Sequence, residues 1–230
     1  MTPDQDDIVA ARRARTREIQ AEFAIRGDSL RWFDALYQEA AGDNEKIPWA
    51  DLEPNRYLQA WAVKSRLTGN GRSALVVGCG LGDDAKYLDD LGFKVTGFDI
   101  SPTAIEWAKR LHSGTDIRFE VMDLFEPFSE WLGAFEFVVE VYTIQALPLS
   151  MRETTIDAIA SFVAPGGELV VVSRLRADYD EPDELPWPVS VRELKRFANN
   201  GLKEIHFETM PGEADEPERF VAVYKNTLER

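Results

Sequence analysis

A glycine-rich segment and an aspartate downstream of it are the residues whose types and spacing could do chemistry. The segment reads Gly78-Cys79-Gly80-Leu81-Gly82 and follows a short apolar run, and Asp99 comes 21 residues after Gly78. Glycines between a strand and a helix let the backbone approach a ligand closely. An acidic residue at this distance is placed to accept hydrogen bonds from ribose hydroxyls. The pattern therefore predicts a nucleoside site.

The residues after the glycines argue against a dinucleotide. The third glycine of a dinucleotide-binding turn is replaced by Asp83, and Asp84 follows it. Both carboxylates stand at the start of a predicted helix, where they would repel a pyrophosphate. An adenosine ligand that carries cations and no phosphate fits better. Asp123 is then expected to accept from the adenine amino group, and the Leu124 amide to serve a ring nitrogen.

Alternating strands and helices from Arg72 onward must position these residues. Predicted strands one to four end at Gly78, Asp99, Asp123 and Glu140, so four segments converge at one crevice. This order predicts an α/β fold with a doubly wound, mostly parallel, Rossmann-like sheet. The predicted strands are 74–77, 94–98, 117–122, 135–141, 169–172, 203–209 and 219–225.

Helix starts are predicted from capping residues. Ser101 followed by Pro102 predicts a capped helix start. Ser150 and Glu153 have the spacing of a capping box, which predicts a second start there. A further helix is expected at about 190–199.

Residues 1–70 are predicted to form a helical segment that packs as a lid on a main domain of residues 71–230. A polar helix is expected over 6–25, a second from Asp28, and a third from Pro54 to Leu67. The second carries aromatic residues at helical spacing, among them Trp32 and Tyr37.

Composition excludes several classes of function. The net charge of −15 argues against a nucleic-acid partner, because such binding needs Lys and Arg to neutralise phosphates. The sequence offers neither a membrane-spanning run nor a secretory leader, so we expect a cytoplasmic protein without a membrane partner. One cysteine and two distant histidines supply no disulfide framework and no metal site.

The chain resembles the class I S-adenosylmethionine-dependent methyltransferases over residues 72–225. The resemblance implies a seven-stranded sheet with one antiparallel strand and S-adenosyl-L-methionine as cofactor. It places the methionine end over Gly78, Cys79 and Gly80, the ribose on Asp99 and the adenine beside Asp123. Ile100, Leu124 and Glu140 are expected to join this cofactor site. The motifs are Leu75-Val76-Val77-Gly78-Cys79-Gly80-Leu81-Gly82, Val95-Thr96-Gly97-Phe98-Asp99-Ile100-Ser101, Met122-Asp123-Leu124 and Ala164-Pro165-Gly166-Gly167.

More narrowly, the chain is similar to the branch that contains thiopurine, thiol, halide and tellurite-resistance methyltransferases. The likeness is carried by Trp32 to Tyr37, by Ile47-Pro48-Trp49, and by Gly92-Phe93-Lys94-Val95. It implies that Trp49 packs over the cofactor. Glu140 departs from the pattern, since many relatives have Asp at the end of strand four.

These observations predict methyl transfer to a small molecule, with a thiol or another soft nucleophile as one acceptor. Such a nucleophile needs little help from a base. Tyr142 is the candidate catalytic residue, with edge packing as its alternative. Candidate substrate contacts are Trp32, Tyr37, Tyr142, Gln145 and Arg174. Helical spacing makes core packing the default for Trp32 and Tyr37, with a hydrophobic lid over the methyl donor as the alternative. A solvated surface position is an equal alternative for Arg174 and Arg176.

Two other functions stay open at this point. A non-catalytic cofactor-binding protein could share the fold, and a nicotinamide-dependent oxidoreductase is disfavoured by Asp83. The stretch 178–188, which contains Trp187, is expected to form part of a lid.

Overall fold

The computed structural model describes residues 5–212 and 216–228. Seven strands of the described residues follow the order β3-β2-β1-β4-β5-β8-β7, and the short β6 pairs with β5 away from this path. The strands are β1 (Ser73–Val77), β2 (Lys94–Asp99), β3 (Arg118–Val121), β4 (Phe135–Val141), β5 (Val163–Arg176), β6 (Val189–Ser190), β7 (Leu202–Met210) and β8 (Arg219–Asn226).

Strand direction brings the predicted site residues to one edge. The pairs β1·β2, β2·β3, β1·β4 and β4·β5 are parallel, so their carboxyl ends lie together. β8 runs antiparallel to both β5 and β7, so its first residue lies at that same edge. The predicted Rossmann-like sheet with one antiparallel strand is confirmed.

Helices cover both faces of the sheet. Neighbouring β4 residues point to opposite sides: Val138 joins the core against α7, and Val139 joins the core against α3 and α4. A third cluster joins the N-terminal helices to α5 through Trp32, Tyr37 and Trp107. The helices are α1 (Gln5–Ile25), α2 (Trp32–Ala40), α3 (Arg56–Ser65), α4 (Asp83–Asp90), α5 (Pro102–Leu111), α6 (Thr143–Ala146), α7 (Arg152–Ser161), α8 (Val191–Leu194) and α9 (Arg196–Asn199).

The helix starts test the capping predictions. Ser101 Oγ accepts from the Ala104 amide at 3.0 Å, which confirms the predicted cap of α5. The capping box at Ser150 and Glu153 is wrong, because a 3₁₀ turn over Leu149–Met151 comes first and α7 begins at Arg152.

Two other predicted helix boundaries move. A capping box is present instead at Ser190 and Glu193, where α8 begins. The single helix predicted over 190–199 is divided into α8 and α9. The second helix begins at Trp32, because the Asp28 carboxylate accepts from the Arg31 amide at 3.0 Å in a turn before it.

The N-terminal helices dock beside the predicted site. On α2, Oδ1 of Asp34 accepts hydrogen bonds from Ser101 Oγ at 2.7 Å and from the Thr103 amide at 3.1 Å. These bonds attach α2 to the first turn of α5, directly after Asp99. Within residues 5–212 and 216–228, the helices lack the continuous apolar length that a bilayer crossing needs.

Candidate functional site

The glycine loop joins β1 to α4 with a backbone that needs glycine. The backbone φ values of Gly78, Gly80 and Gly82 are 59°, 52° and 88°. Residues with a side chain rarely adopt such values. A Cβ on Gly78 would lie 2.4 Å from Thr143 Oγ1, and one on Gly80 would lie 3.0 Å from the Tyr37 hydroxyl. The loop therefore presents its backbone in a narrow space between β1 and two other elements.

Asp99 ends β2 beside this loop and is 8% exposed. Its Oδ2 accepts from the Gly80 amide at 3.0 Å, and its Oδ1 accepts from the Ser101 amide at 2.9 Å. Burial raises the pKa of the Asp99 carboxyl, and these two bonds oppose that rise. Since each carboxylate oxygen can accept a second bond, two acceptor positions remain, which fits a pair of ribose hydroxyls.

Asp123 and Leu124 follow β3, next to Asp99. The Met122 amide donates to the Asp99 carbonyl at 3.0 Å, which holds the ends of β2 and β3 together. Asp123 Oδ1 accepts from the Phe125 amide at 2.8 Å. The Leu124 side chain is buried in the core, so only its backbone is suited to polar contacts with a ligand.

Aromatic residues of the N-terminal segment cover the loop. Tyr37 is 1% exposed, and its hydroxyl accepts from the Trp49 indole nitrogen at 2.9 Å. Trp32 is equally buried and stacks with Phe33 at 3.9 Å between ring centroids. This burial favours core packing for Trp32, while Trp49, at 38% exposed, borders both the core and solvent.

Cys79 lies within the loop, and its side chain packs toward Gly97. Burial, and then the charge of Asp99, raise the pKa of the Cys79 thiol well above its usual value. The thiol stays protonated near neutral pH, which argues against a nucleophilic role.

Asp84 takes a structural role at the start of α4. Its Oδ1 accepts from the Asn55 amide at 2.7 Å, which joins α4 to the start of α3. Burial raises the pKa of Asp84 to about 6, and burial also raises that of Asp83.

Glu140 supports the turn after β4. Its side chain is fully buried, and Oε1 accepts from the Ile144 amide at 2.9 Å. Oε2 is buried with no hydrogen-bond partner among the described residues. Burial raises the pKa of Glu140 to about 7, against the opposing influence of the Ile144 amide and the Arg152 charge. Because this bond holds α6, Glu140 positions the backbone of Tyr142, which directly precedes α6.

Tyr142 lies between β4 and α6 with a φ of 62°. Its amide donates to the Val172 carbonyl at 3.0 Å, and its hydroxyl accepts from Arg219 Nε at 3.2 Å. The Arg174 guanidinium carbon lies 5.3 Å from the centre of the Tyr142 ring. Tyr142 thus meets two arginines that belong to the neighbouring strands.

Gln145 and Arg176 are occupied by bonds within the protein. Gln145 Oε1 accepts from the Ser173 hydroxyl at 3.0 Å and the Arg174 amide at 2.8 Å, which joins α6 to β5. Arg176 Nε donates to the Pro188 carbonyl at 2.9 Å, and its guanidinium contacts Glu193 at 2.9 Å.

The stretch 178–188 is attached to the main domain by Trp187. The Trp187 amide donates to the Gln145 carbonyl at 2.8 Å, and its ring is buried against the N-terminal cluster. Among the residues that the structure describes, no three His, Cys, Asp or Glu side chains are grouped to hold a metal ion.

Sequence reasoning missed three residues at this edge. Arg219 begins β8, and its position follows only from the antiparallel pairing that places it opposite Arg174. Arg152 supports α6 by donating to the Ile144 carbonyl. Asp34 docks α2 on α5. The expected hairpin of the last two strands could have indicated Arg219, whereas no local pattern indicates the other two.

Comparison with known proteins gives consistent matches. Residues 74–167 match a family described as methyltransferase domain. A relative from Mycobacteroides abscessus, named 2-heptyl-1-hydroxyquinolin-4(1H)-one methyltransferase, is 26% identical over 73% of this chain and 74% of its own length. A ubiquinone biosynthesis O-methyltransferase from Xanthomonas axonopodis pv. citri is 30% identical over 60% of this chain, and the matched region spans 54% of that relative.

Solved structures agree on the fold. The N-methyltransferase NodS from Bradyrhizobium japonicum WM9, in complex with S-adenosyl-L-homocysteine, aligns with a TM-score of 0.65 and 21% identity. The alignment covers 84% of this chain and 96% of NodS. At this identity the likeness concerns the fold alone. The domain match and the named relatives confirm the predicted methyltransferase class.

Proposed function

We propose that this chain, a class I S-adenosylmethionine-dependent methyltransferase by its domain match and fold, methylates a hydroxyl oxygen of a small ring-containing molecule. The observation that carries the proposal is that the glycine loop, Asp99 and Tyr142 follow the adjacent parallel strands β1, β2 and β4 at one edge of the sheet, where Asp99 binds the loop. The choice of oxygen rests on two relatives, whose names specify a hydroxyquinolone and an O-methyltransferase.

The cofactor residues in this proposal are those around the glycine loop. The backbone of Gly78, Cys79 and Gly80 borders the methionine end, and Asp99 with Ile100 borders the ribose. Asp123 and the Leu124 backbone border the adenine. Trp49 closes the site from the N-terminal segment, so residues 1–70 serve as a cover on residues 71–230. The two unused acceptor positions of the Asp99 carboxylate support this assignment.

The chain's main contribution to the reaction is alignment. The bound cofactor supplies a methyl group on a sulfonium, which a nucleophile displaces in line. Holding two reactants in attack geometry can lower a barrier by roughly 7–11 kcal/mol. Glu140 and Arg152 hold α6 through the amide and the carbonyl of Ile144. This also holds Tyr142, which directly precedes α6. We assign Tyr142 to orient the acceptor hydroxyl. To act as the base, Tyr142 would react as its phenolate, which takes up the acceptor's proton and becomes neutral as the methyl group is transferred. Arg219, whose Nε donates to the phenol oxygen, is placed to stabilise that anion before transfer.

A thiol or another soft nucleophile is the second acceptor we retain, as in the thiol and tellurite-resistance branch. It is favoured by the small number of groups at this edge that could act as a base. Tyr142 would then only orient the acceptor, and its hydroxyl would be dispensable.

Binding and transfer assays test the proposed function. Calorimetry should show that the protein binds S-adenosylmethionine and S-adenosylhomocysteine and does not bind NADH. Labelled methyl transfer should then be measured on matched phenol, thiophenol and aniline acceptors. We expect transfer to oxygen. Faster transfer to sulfur would favour the soft-nucleophile alternative, and cofactor binding without transfer to any acceptor would favour a non-catalytic role.

A further inference from the structure

Two arginines meet beside Tyr142 at the carboxyl edge of the sheet. Arg174 and Arg219 are direct register partners on β5 and β8. Their side chains are 19% and 4% exposed. Their guanidinium carbons lie 5.3 and 6.0 Å from the centre of the Tyr142 ring. Two like charges are thus placed close together with little solvent around them, an arrangement that needs a compensating anion.

Glu216 is the carboxylate that the structure places against this pair. It contacts Arg219 and Arg13 closely and Arg174 at 3.5 Å. Three guanidinium groups therefore share one carboxylate among the described residues. Burial, and then the charge of Arg219, lower the pKa of Arg174, whereas the pKa of Arg219 is raised because Tyr142 and Glu216 outweigh its burial. Arg174 is therefore the less compensated of the two. Among the residues that the structure describes, the guanidinium groups thus outnumber the carboxylate beside them, in a chain whose net charge is −15.

The strand order sets the distance between Arg174 and the glycine loop. The loop follows β1, and β4 alone separates β1 from β5 in the sheet. Two strand spacings amount to about 10 Å. A small ring molecule with its methyl-accepting atom near the loop would therefore extend an acidic group toward Arg174.

We propose that Arg174 and Arg219 bind a carboxylate on the methyl acceptor, and that Glu216 occupies this anion site when no acceptor is bound. A guanidinium fork matches a carboxylate in shape and charge. The acceptor class is accordingly a small aromatic acid that carries a separate nucleophilic atom. This inference rests on the proposed function, because it deepens the acceptor side of the same site.

Binding of matched acid and ester probes tests this directly. With S-adenosylhomocysteine present, calorimetry would compare 4-hydroxybenzoate, 3,4-dihydroxybenzoate, 2-mercaptobenzoate and 4-hydroxyquinoline-2-carboxylate, each with its methyl ester. We expect at least one acid to bind roughly 10- to 100-fold more tightly than its ester, the range for a hydrogen bond to a charged group. Equal binding of acid and ester in every pair would overturn the proposal.

Two variants with opposite effects strengthen the test. Arg174→Gln should remove the preference for the acid, whereas Glu216→Gln should increase it several-fold by removing the competing carboxylate. Arg110→Gln, on the exposed end of α5, is the matched control and should leave the preference unchanged. A cluster with a purely structural role would leave the acid-to-ester ratio the same in all three variants, which would refute the proposal.

The cofactor also has a carboxylate, so its binding must be measured separately. If Arg174→Gln weakened S-adenosylhomocysteine binding itself, the arginines would serve the cofactor and the proposal would be wrong. Failure of the anion-site proposal can be distinguished from failure of the proposed function, because probe binding needs no turnover. Acid-selective binding with transfer to sulfur would contradict the proposed oxygen acceptor and still support anion recognition. Circular dichroism of each variant would detect loss of folding. Arg174→Lys, which retains the charge, should keep part of the preference for the acid.

Discussion

The Gly80 amide donates a hydrogen bond to Oδ2 of Asp99 at 3.0 Å, and this bond joins the glycine loop to the end of β2. The same carboxylate accepts from the Ser101 amide through its other oxygen. Asp99 therefore has two tasks. It holds the loop in its left-handed conformation, and in the proposed function its remaining lone pairs accept hydrogen bonds from the ribose hydroxyls.

Replacing Asp99 should weaken cofactor binding because both ribose hydroxyls would lose a charged acceptor. We expect Asp99→Ala to raise the Kd for S-adenosylhomocysteine by a factor that corresponds to about 1.5–3 kcal/mol. Calorimetry measures the change, and Asp116→Ala, at an exposed position before β3, serves as control. A Kd within about twofold of the original protein would contradict the assigned ribose position.

The loop glycines should tolerate no side chain. In Gly78→Ala the new Cβ would meet Thr143 Oγ1 at 2.4 Å, at a φ of 59°. We expect a loss of about 1–3 kcal/mol in the free energy of unfolding, the usual cost of a strained backbone position, together with weaker cofactor binding. Gly114→Ala, with no atom within 4 Å of its Cβ, should be nearly neutral. Urea denaturation of both variants measures the difference, and equal midpoints would refute the steric argument.

Hydrophobic runs and turn residues report local structure, so they predict most of the sheet. They do not predict the full length of β5, which extends over Val163–Arg176 where 169–172 is expected, and they do not predict β6. β4 was predicted with its observed bounds, Phe135–Val141, since buried apolar residues are bounded there by polar turns. The capping box at Ser150 and Glu153 failed because the spacing occurs by chance in polar segments. Tertiary packing favoured a start at Arg152, whose guanidinium binds the carbonyls of Ile144 and Trp187.

The sequence predicts a site residue only where a recognisable residue pattern accompanies the end of its strand. Asp99 follows a recognisable glycine pattern, whereas Arg219 acquires its position from pairing across the hairpin. The partners of Tyr37 illustrate the same limit. Helical spacing indicated that Tyr37 faces inward, but its hydrogen bond to Trp49 depends on how the intervening turn folds back.

Tyr142 can be tested with a variant that preserves its packing. Tyr142→Phe keeps the ring against Arg174 and Arg219 and removes only the hydroxyl. If Tyr142 receives the acceptor proton, kcat for an oxygen acceptor should fall by about 10²–10⁴-fold, with an unchanged Kd for S-adenosylhomocysteine. Tyr87→Phe on α4 is the control. Steady-state rates near those of the original protein would show that the hydroxyl is dispensable, as expected for a thiol acceptor.

Glu140 should make the stability of the protein depend on pH. Burial raises its pKa in the folded state to about 7, above the usual value of 4.5. Between these two values the folded protein keeps a proton that the unfolded chain releases. The stabilisation is therefore fully present below about pH 4.5 and is lost as the pH rises through about 7.

Glu140→Gln should remove this contribution while keeping an oxygen for the Ile144 amide. Relative to the original protein, the variant should gain on the order of 2 kcal/mol in unfolding free energy between pH 5 and pH 8. Asp84, whose pKa is raised to about 6, has the same sign of effect but is present in both proteins, so it cancels in the difference. Urea denaturation at several pH values gives both profiles, with Glu106→Gln on the exposed face of α5 as control. Parallel profiles for Glu140→Gln and the original protein would show that Glu140 is ionised in the fold, and its buried Oε2 would then require a partner beyond the described residues.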